Sequence, residues 1–155
     1  MYDLAQLRTA REASRAANSR SDEPRIYALI LFLACATVLG MAMWLSPNTR
    51  GHGTHTQLGL PECGMLVTTG LPCATCGMTT AFSHAVHGQL ASAFTVQPAG
   101  ALLAILTAVF MILAGYAAYA GLPILPLLRR LWTARLVTAG VVIVIAAWAY
   151  KIFTI

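Results

Sequence analysis

Three long apolar blocks dominate the hydrophobic pattern of the chain. Residues 26–45 and 99–120 contain no charged side chain, and a helix of either length is long enough to cross the hydrocarbon core of a bilayer. A third block, 134–153, reaches that length only if Arg135 and Lys151 are included, and we expect these two side chains to snorkel toward the membrane surfaces. The pattern predicts an all-α integral membrane protein with three transmembrane helices.

A fourth, amphipathic helix is predicted between the first two spans. A loop rich in Gly and Pro covers 46–61, and from Met78 to Phe94 apolar residues recur at intervals of three and four. Ser83, His84 and His87 belong to the opposite, polar face, and we expect the two histidines to be solvated. Such a helix lies along the membrane surface, or re-enters the membrane only where protein covers it.

Composition and charge support a bilayer environment and suggest an orientation. The chain is 58% hydrophobic and 10% charged, against about 25% charged in an ordinary soluble domain. Five of its ten Lys and Arg residues precede the first span, and three lie between the second span and the uncharged part of the third block, 136–150. This leaves Arg50 and Lys151 on the other side. Because basic loops stay in the cytoplasm, residues 1–25 are expected to form a mobile or surface-lying cytoplasmic tail. The single membrane domain is 26–155, and its segment 46–98 is expected to be extracytoplasmic.

The excess of positive charge does not indicate a nucleic-acid partner. The net charge is +5, but the basic residues flank apolar spans and lack the interleaved aromatic residues of a nucleic-acid surface. The expected partners are therefore the lipid bilayer and another membrane protein or a second copy of the chain. Small residues at Ala36 and Gly40, and at Ala114 and Ala118, would allow close packing against such a partner.

Three of the four cysteines lie close together in the extracytoplasmic segment. Cys73 and Cys76 form a C-x-x-C motif just before the amphipathic helix, and Cys63 lies ten residues upstream. Free N–H groups and the helix dipole favour a thiolate at a helix start. Three soft sulfur ligands suit zinc or another thiophilic metal, and His52 or His55 would complete a Cys₃His tetrahedron.

Disulfide chemistry is an alternative use of the same thiols. In an oxidising compartment Cys63 would pair with Cys73 or Cys76, and the closed loop of about a dozen residues would stabilise the fold by ~3 kcal/mol. The remaining thiol would be inert, or would take part in disulfide exchange with Cys73 as nucleophile and Cys76 or Cys63 as resolver.

The residues around these cysteines resemble a known family. Cys63 and the run 69–79 are similar to the signature of domain-of-unknown-function family 2752, small bacterial membrane proteins with the pattern Cys, nine residues, then Cys-Pro-x-Cys-Gly-x-Thr-Arg-Ala. Five non-cysteine residues carry the resemblance: Thr69, Gly70, Pro72, Gly77 and Thr79. The chain has Ala74, Thr80 and Gln97 where the family usually has Pro, Arg and Asn. The resemblance covers roughly 60–105, implies a bacterial inner-membrane protein and supplies no activity.

These observations predict a small multi-pass membrane module or accessory subunit with an extracytoplasmic three-cysteine motif. A metal ion, with zinc as the cofactor considered, or a disulfide would stabilise it, and no catalytic residue is assigned. The alternative function is membrane thiol–disulfide exchange through Cys73 and Cys76.

Overall fold

The computed structural model describes residues 4–131 and 133–154, and these residues form helices and loops without a β-strand. The helices in chain order are α1 (Leu4–Trp44), a short 3-10 helix (Thr54–Leu58), α2 (Gly64–Thr69), α3 (Met78–Val86), α4 (Leu90–Val96), α5 (Pro98–Ala120), α6 (Leu125–Leu131) and α7 (Ala134–Thr154). Within these described ranges, three segments are long and apolar enough to cross a membrane: Glu23–Trp44 of α1, all of α5 and all of α7. The predicted all-α fold with three spans is confirmed.

Helix α1 begins earlier than the sequence suggested. It is continuous from Leu4 to Trp44, so the segment expected to be a mobile or surface-lying tail is mostly helical. Pro24 lies inside this helix, next to the start of its membrane-spanning part. Proline lacks a backbone N–H and removes one hydrogen bond there, but the helix continues through it. The N-terminal segment therefore differs from the span in composition, not in secondary structure.

The paired helices α1 and α5 form the membrane core through small side chains. Ala28 of α1 forms a buried cluster with Ala114 and Ala117 of α5, and Ala118 packs against that cluster. Small residues let two helices approach closely where no water drives their association. One of the two predicted small-residue faces thus lies inside the protein. On the other face, a Cβ added at Gly40 would meet nothing within 4 Å among the described residues.

Helix α3 is inserted between the C-terminal end of the α1 span and the N-terminal end of α5. Phe82 of α3 is buried with Ala42 of α1 and Ala104 of α5. Ala81 lies so close to α5 that a Cβ added at Gly100 would be 3.0 Å from the Cβ of Ala81. The amphipathic segment is therefore covered by protein on its inner side.

The predicted single amphipathic helix is two helices. The first of them, α3, ends at Val86, and the second, α4, begins at Leu90. Between them Gly88 has φ of +77°, a left-handed conformation that glycine adopts without steric cost. A pattern of apolar residues at intervals of three and four continued across this break, which is why the sequence suggested one helix.

The two faces of this segment also differ from the prediction. Ser83, assigned to the polar face, is fully buried and its hydroxyl donates a hydrogen bond to the carbonyl of Leu45. The last carbonyls of a helix have no partner within the helix, so the end of α1 needs a donor at this place. Leu90 and Phe94, assigned to the apolar face, are exposed.

Candidate metal centre

The three clustered cysteines converge on one point. The Sγ atoms of Cys63, Cys73 and Cys76 all lie within 4.8 Å of one another, and those of Cys73 and Cys76 are 3.2 Å apart. With a Zn–S bond of about 2.3 Å, two sulfurs on a tetrahedral ion are about 3.8 Å apart. The three thiols are therefore close enough to bind one metal ion together.

A turn and two helix starts position these sulfurs. Cys63 is the residue before α2. In the C-x-x-C turn, the N–H of Cys76 donates to the carbonyl of Cys73 at 3.0 Å, and the N–H of Cys73 donates to Sγ of Cys76 at 3.3 Å. Gly77 then begins α3. The motif thus lies directly before a helix, where the sequence placed it.

Glycine at position 77 has a steric reason. Its φ is +86°, and a Cβ added there would lie 2.8 Å from the carbonyl oxygen of Gly51. The loop 46–61 therefore crosses directly over the end of the C-x-x-C turn. Gly51 itself has φ of +71°, so two left-handed glycines meet where the loop and the motif touch.

Three other signature residues shape the link from α2 to the C-x-x-C turn. The Thr69 hydroxyl donates to the carbonyl of Met65 at 2.6 Å. Gly70 ends α2 with φ of +72°. Pro72 is fully buried, and its carbonyl accepts a hydrogen bond of 2.9 Å from the indole N–H of Trp148. The link is thus fixed both locally and by the third span.

The environments of Cys63 and Cys76 shift their pKa values in opposite directions. The backbone N–H of Leu66 and the Cys76 thiol favour the thiolate of Cys63 and lower its pKa to about 7. Burial, followed by hydrogen bonding with Cys73, raises the pKa of Cys76 to about 12. The sequence predicted that the helix start would favour a thiolate in the C-x-x-C, but for Cys76 burial outweighs that effect. Of these two, Cys63 is the better thiolate.

A polar cavity lies in front of the sulfurs. It has a volume of about 450 Å³, and its wall includes all three cysteines as well as His52 and His55. Its remaining polar wall residues include Arg50, Glu62 and Thr79, the last of the signature residues. The cavity gives a metal ion at the sulfurs access to side chains from loop 46–61.

Neither loop histidine belongs to the sulfur cluster itself. Among the described residues, only the three cysteines form a group within 4.8 Å. A ring nitrogen of His55, Nε2, is hydrogen-bonded to the carbonyl of Pro61 at 3.1 Å. Burial lowers the pKa of His52, which favours the neutral imidazole that binds metals. The structure places both histidines at the cavity and leaves the identity of a fourth ligand as a prediction.

The histidines of α3 lie away from the cavity. Nδ1 of His84 is hydrogen-bonded to the side chain of Gln89 at 2.6 Å, and Nδ1 of His87 donates to the carbonyl of Ser83 at 2.7 Å. Neither residue lines the cavity. Both take part in local contacts at the end of α3.

Sequence reasoning missed the contribution of the third span. Lys151 was expected to snorkel to the membrane surface, but it is only 4% exposed. Its ammonium donates to the carbonyls of Gly51 at 3.2 Å and Val96 at 3.0 Å. A Cβ added at Gly77 would lie 3.4 Å from this nitrogen, so the charge lies beside the residue that follows Cys76. A lysine inside an apolar block was the signal, since ionisable residues in spans usually have an inward partner.

Thr80 and Gln97, two residues at which the chain departs from the signature, are buried and support the site. The hydroxyls of Thr80 and Thr54 are hydrogen-bonded at 2.8 Å and join α3 to the loop. The Gln97 side-chain amide donates to the carbonyl of Ala74, inside the C-x-x-C, at 3.0 Å. Its Oε1 atom is buried and has no hydrogen-bond partner within the described part of the chain. These residues tie the motif to the loop and to the start of α5.

Comparison with known proteins finds one family that matches the part of the chain containing the three cysteines. The model of a family described as protein of unknown function (DUF2752) matches residues 63–112, from the first clustered cysteine into α5. Over that segment, which covers less than half of the chain, the protein is similar to the DUF2752 family, and the match agrees with the resemblance seen in the sequence. No curated protein and no solved structure matches the chain. The matched segment contains the three clustered cysteines but neither the loop histidines nor Lys151.

Proposed function

We propose that the protein is a non-enzymatic membrane module in which Cys63, Cys73 and Cys76 bind a thiophilic divalent metal ion, with zinc as the expected ion. The observation that carries the proposal is the convergence of the three Sγ atoms within 4.8 Å. Structural zinc sites are built from such thiolates, with a fourth ligand that closes the tetrahedron.

A cross-link is proposed because residues 46–77 bury little apolar surface. In residues 46–77 the buried positions are Gly51, Thr54, Pro72, Cys76 and Gly77, and none of them is a large aliphatic or aromatic side chain. Burial of a large apolar side chain stabilises a fold by about 1.5–3 kcal/mol, and this segment has no such contribution. A structural zinc ion contributes on the order of 10 kcal/mol to the folding of small domains and would hold this loop on the helices.

The fourth ligand in this proposal is His52 or His55, from the wall of the same cavity. His52 is the better candidate, because His55 is already engaged with the carbonyl of Pro61. The move requires a rearrangement of the Gly-rich loop that carries both side chains. With either histidine, the ion has three thiolates and one neutral imidazole as ligands.

Metal analysis of anaerobically purified protein, with a count of free thiols, tests this proposal. We expect about one metal ion per chain, and three thiols that react only after chelation and unfolding. Cys35, which is buried within the first span, provides the matched control. Cys35→Ser should keep the metal, whereas Ser at 63, 73 or 76 should lose it. A parent chain with no metal and two unreactive thiols would instead indicate a structural disulfide.

Thiol–disulfide exchange is the second candidate function, and two observations favour it. The sulfurs of Cys73 and Cys76 are in contact at 3.2 Å, and the lowered pKa of Cys63 gives it thiolate character near neutral pH. Because of this lowered pKa, the mechanism differs from the sequence-based hypothesis: the nucleophile is Cys63 rather than Cys73. The Cys63 thiolate attacks a substrate disulfide and releases one substrate sulfur as a thiolate. Cys73 or Cys76 then attacks the mixed disulfide, so the chain is oxidised by two electrons and the substrate is reduced. A mixed disulfide trapped in a Cys73→Ser, Cys76→Ser variant, with no metal in the parent, would favour this candidate.

We also propose that the cysteine centre faces the extracytoplasmic side of a bacterial inner membrane, with the N-terminus in the cytoplasm. The uneven distribution of Lys and Arg supports this orientation, and Lys151, one of the two exceptions, is buried against protein. A reporter fused after Gly53 should be active outside, and one fused after Arg130 should be active inside. A cytoplasmic signal at Gly53 would reverse the orientation. Another membrane protein or a second copy of the chain remains the proposed protein partner.

A further inference from the structure

A positive charge from the third membrane span is buried beside the cysteine centre. We propose that Lys151 is the charge-balancing residue of this centre, whose ammonium offsets the negative charge that three thiolates leave around a divalent ion. The inference rests on the proposed metal site. It adds that the third span is part of the site, although no metal ligand comes from that span.

Within residues 4–131 and 133–154, the hydrogen bonds of Lys151 do not pair its charge with an acidic group. Both oxygen atoms that accept its hydrogen bonds, those of Gly51 and Val96, belong to neutral carbonyls. An ammonium has three N–H donors, so these carbonyls take two of the three. A buried charge is costly unless it is paired, and Lys151 is 4% exposed. Its burial therefore calls for a nearby negative group.

The cysteine centre is the negative group in the right place. The Lys151 nitrogen is so near the backbone that a Cβ added at Gly77 would lie 3.4 Å from it, and one added at Gly51 would lie 3.5 Å from it. Gly77 directly follows Cys76, the most buried of the clustered cysteines. Three thiolates with a divalent ion carry a net charge of −1, and the ammonium brings the buried assembly to neutrality.

The position of Lys151 is fixed by its own turn of α7. Trp148 donates to the carbonyl of Pro72 at 2.9 Å, and Tyr150 donates to the carbonyl of Thr95 at 3.1 Å. In α7 only Ala147 and Lys151 are buried among the residues described. The third span is thus held to the protein largely by the turn that contacts the site, and the lysine has little freedom to move away.

The test measures the affinity for Zn²⁺ of the full-length protein in detergent, by competition with a chromophoric chelator. Lys151→Met removes the charge and keeps a side chain of similar length, and it should weaken Zn²⁺ binding by tenfold or more. Arg50→Met is the matched control, because Arg50 also lines the cavity but is exposed, and exposed charges are screened by water. It should change the affinity by less than threefold. Lys151→Arg should retain most of the affinity.

A double-mutant cycle separates charge balance from a structural role. Cys63→His replaces one thiolate with a neutral ligand, so the centre no longer has a negative charge to balance. In that background Lys151→Met should cost less than threefold. A merely structural lysine would cost the same in both backgrounds, and that result would overturn the inference, as would equal effects of Lys151→Met and Arg50→Met. If Lys151→Met does not fold, poor binding by folded Lys151→Arg would overturn it too. A parent chain without metal would remove the proposed function and this inference together, whereas metal binding that ignores Lys151 would remove the inference alone.

Discussion

The membrane core and the cysteine loop are held together in different ways. Between α1 and α5, small side chains such as Ala28 and Ala114 allow the helices to pack closely over many turns. The cysteine loop, defined as residues 46–77 and including the Gly-rich loop 46–61, buries no large apolar side chain. Left-handed glycines, hydrogen bonds and three converging sulfurs shape it instead. In the proposed account the core forms without a cofactor, whereas the metal ion holds the cysteine loop in place. Perturbations of the sulfurs should release the loop and leave the core folded.

Loss of one of the clustered cysteines should have the largest effect, and the effect should be confined to the cysteine loop. Cys76→Ser removes the most buried sulfur and leaves a polar hydroxyl in its place, so the loop should open. Trypsin should then cut rapidly after Arg50, an exposed loop residue, and the protein should accumulate to a small fraction of the parent level. Cys35→Ser, in the membrane core, should show neither effect. Equal protection of Cys76→Ser and the parent would mean that the loop is stable without the sulfurs.

Alanine substitutions at two glycines of the cysteine loop should separate the cost of a left-handed backbone from the cost of a steric clash. Both Gly70 and Gly77 are left-handed, but a Cβ at Gly70 would meet nothing within 4 Å, and one at Gly77 would be 2.8 Å from the Gly51 carbonyl oxygen. Gly70→Ala should cost about 1–2 kcal/mol from the backbone alone. Gly77→Ala should cost about 2 kcal/mol more, because overpacking adds to the same backbone cost. For each variant, chelator is added until trypsin cleaves after Arg50, and the concentration required is compared with that of the parent. Equal shifts for the two variants would contradict the close contact between Gly77 and Gly51.

Sequence reasoning succeeded where the signal is local. The three spans follow from apolar length, and the place of the C-x-x-C follows from turn residues that precede a helical pattern. It failed where a distant partner decides. Ser83 is buried because the end of α1 needs a donor, and Lys151 turns inward because the carbonyls of Gly51 and Val96 face it. Neither partner is visible from local periodicity.

The same limit applies to the chemistry of the cysteines. A helix start favours a thiolate, but the raised pKa of Cys76 depends on how deeply the folded chain buries it. The spacing of the three cysteines indicated a common site, and the fold brings them together. The spacing did not reveal that both loop histidines line the cavity without joining the sulfur cluster, since a Gly-rich loop allows many conformations.

Substitutions in the membrane core should destabilise it without involving the metal. Ala114 is fully buried, so Ala114→Leu should cost about 1–3 kcal/mol through overpacking. Gly40→Ala, on a face with open space, should be neutral or slightly stabilising. Both results are read from thermal unfolding in detergent with and without chelator. An effect of Ala114→Leu that disappears on chelation would contradict the independence of the two regions.

Loss of one hydrogen bond between the third span and the loop should have a smaller effect. Trp148→Phe keeps the aromatic bulk and removes the donor to Pro72, and a typical hydrogen bond contributes about 1 kcal/mol. The loop should become modestly more sensitive to trypsin at Arg50. Tyr150→Phe removes a more exposed contact and should have less effect. A larger effect of Tyr150→Phe would mean that Thr95, not Pro72, is the main attachment point.

The pH dependence of the metal-free, reduced protein should be the most subtle difference. The lowered pKa of Cys63 means that its alkylation should reach half its maximal rate near pH 7, while Cys76 should react last because its pKa is raised. The Cys63 contribution to stability is present above the ordinary thiol pKa and is lost as pH falls through about 7. The Cys76 contribution to stability depends on pH in the opposite direction. It is present below the ordinary thiol pKa and is lost as pH rises from that value toward about 12. Mass spectrometry of alkylated peptides measures the order, and equal rates for the two cysteines would contradict it.

The coordination of the bound ion tests the central claim most directly. X-ray absorption at the zinc edge, on protein purified without added oxidant, reports the atoms around the metal and their distances. We expect three sulfur atoms at about 2.3 Å and one nitrogen at about 2.0–2.1 Å. A first shell of nitrogen and oxygen alone, or a parent protein with no metal to measure, would contradict a three-cysteine metal centre.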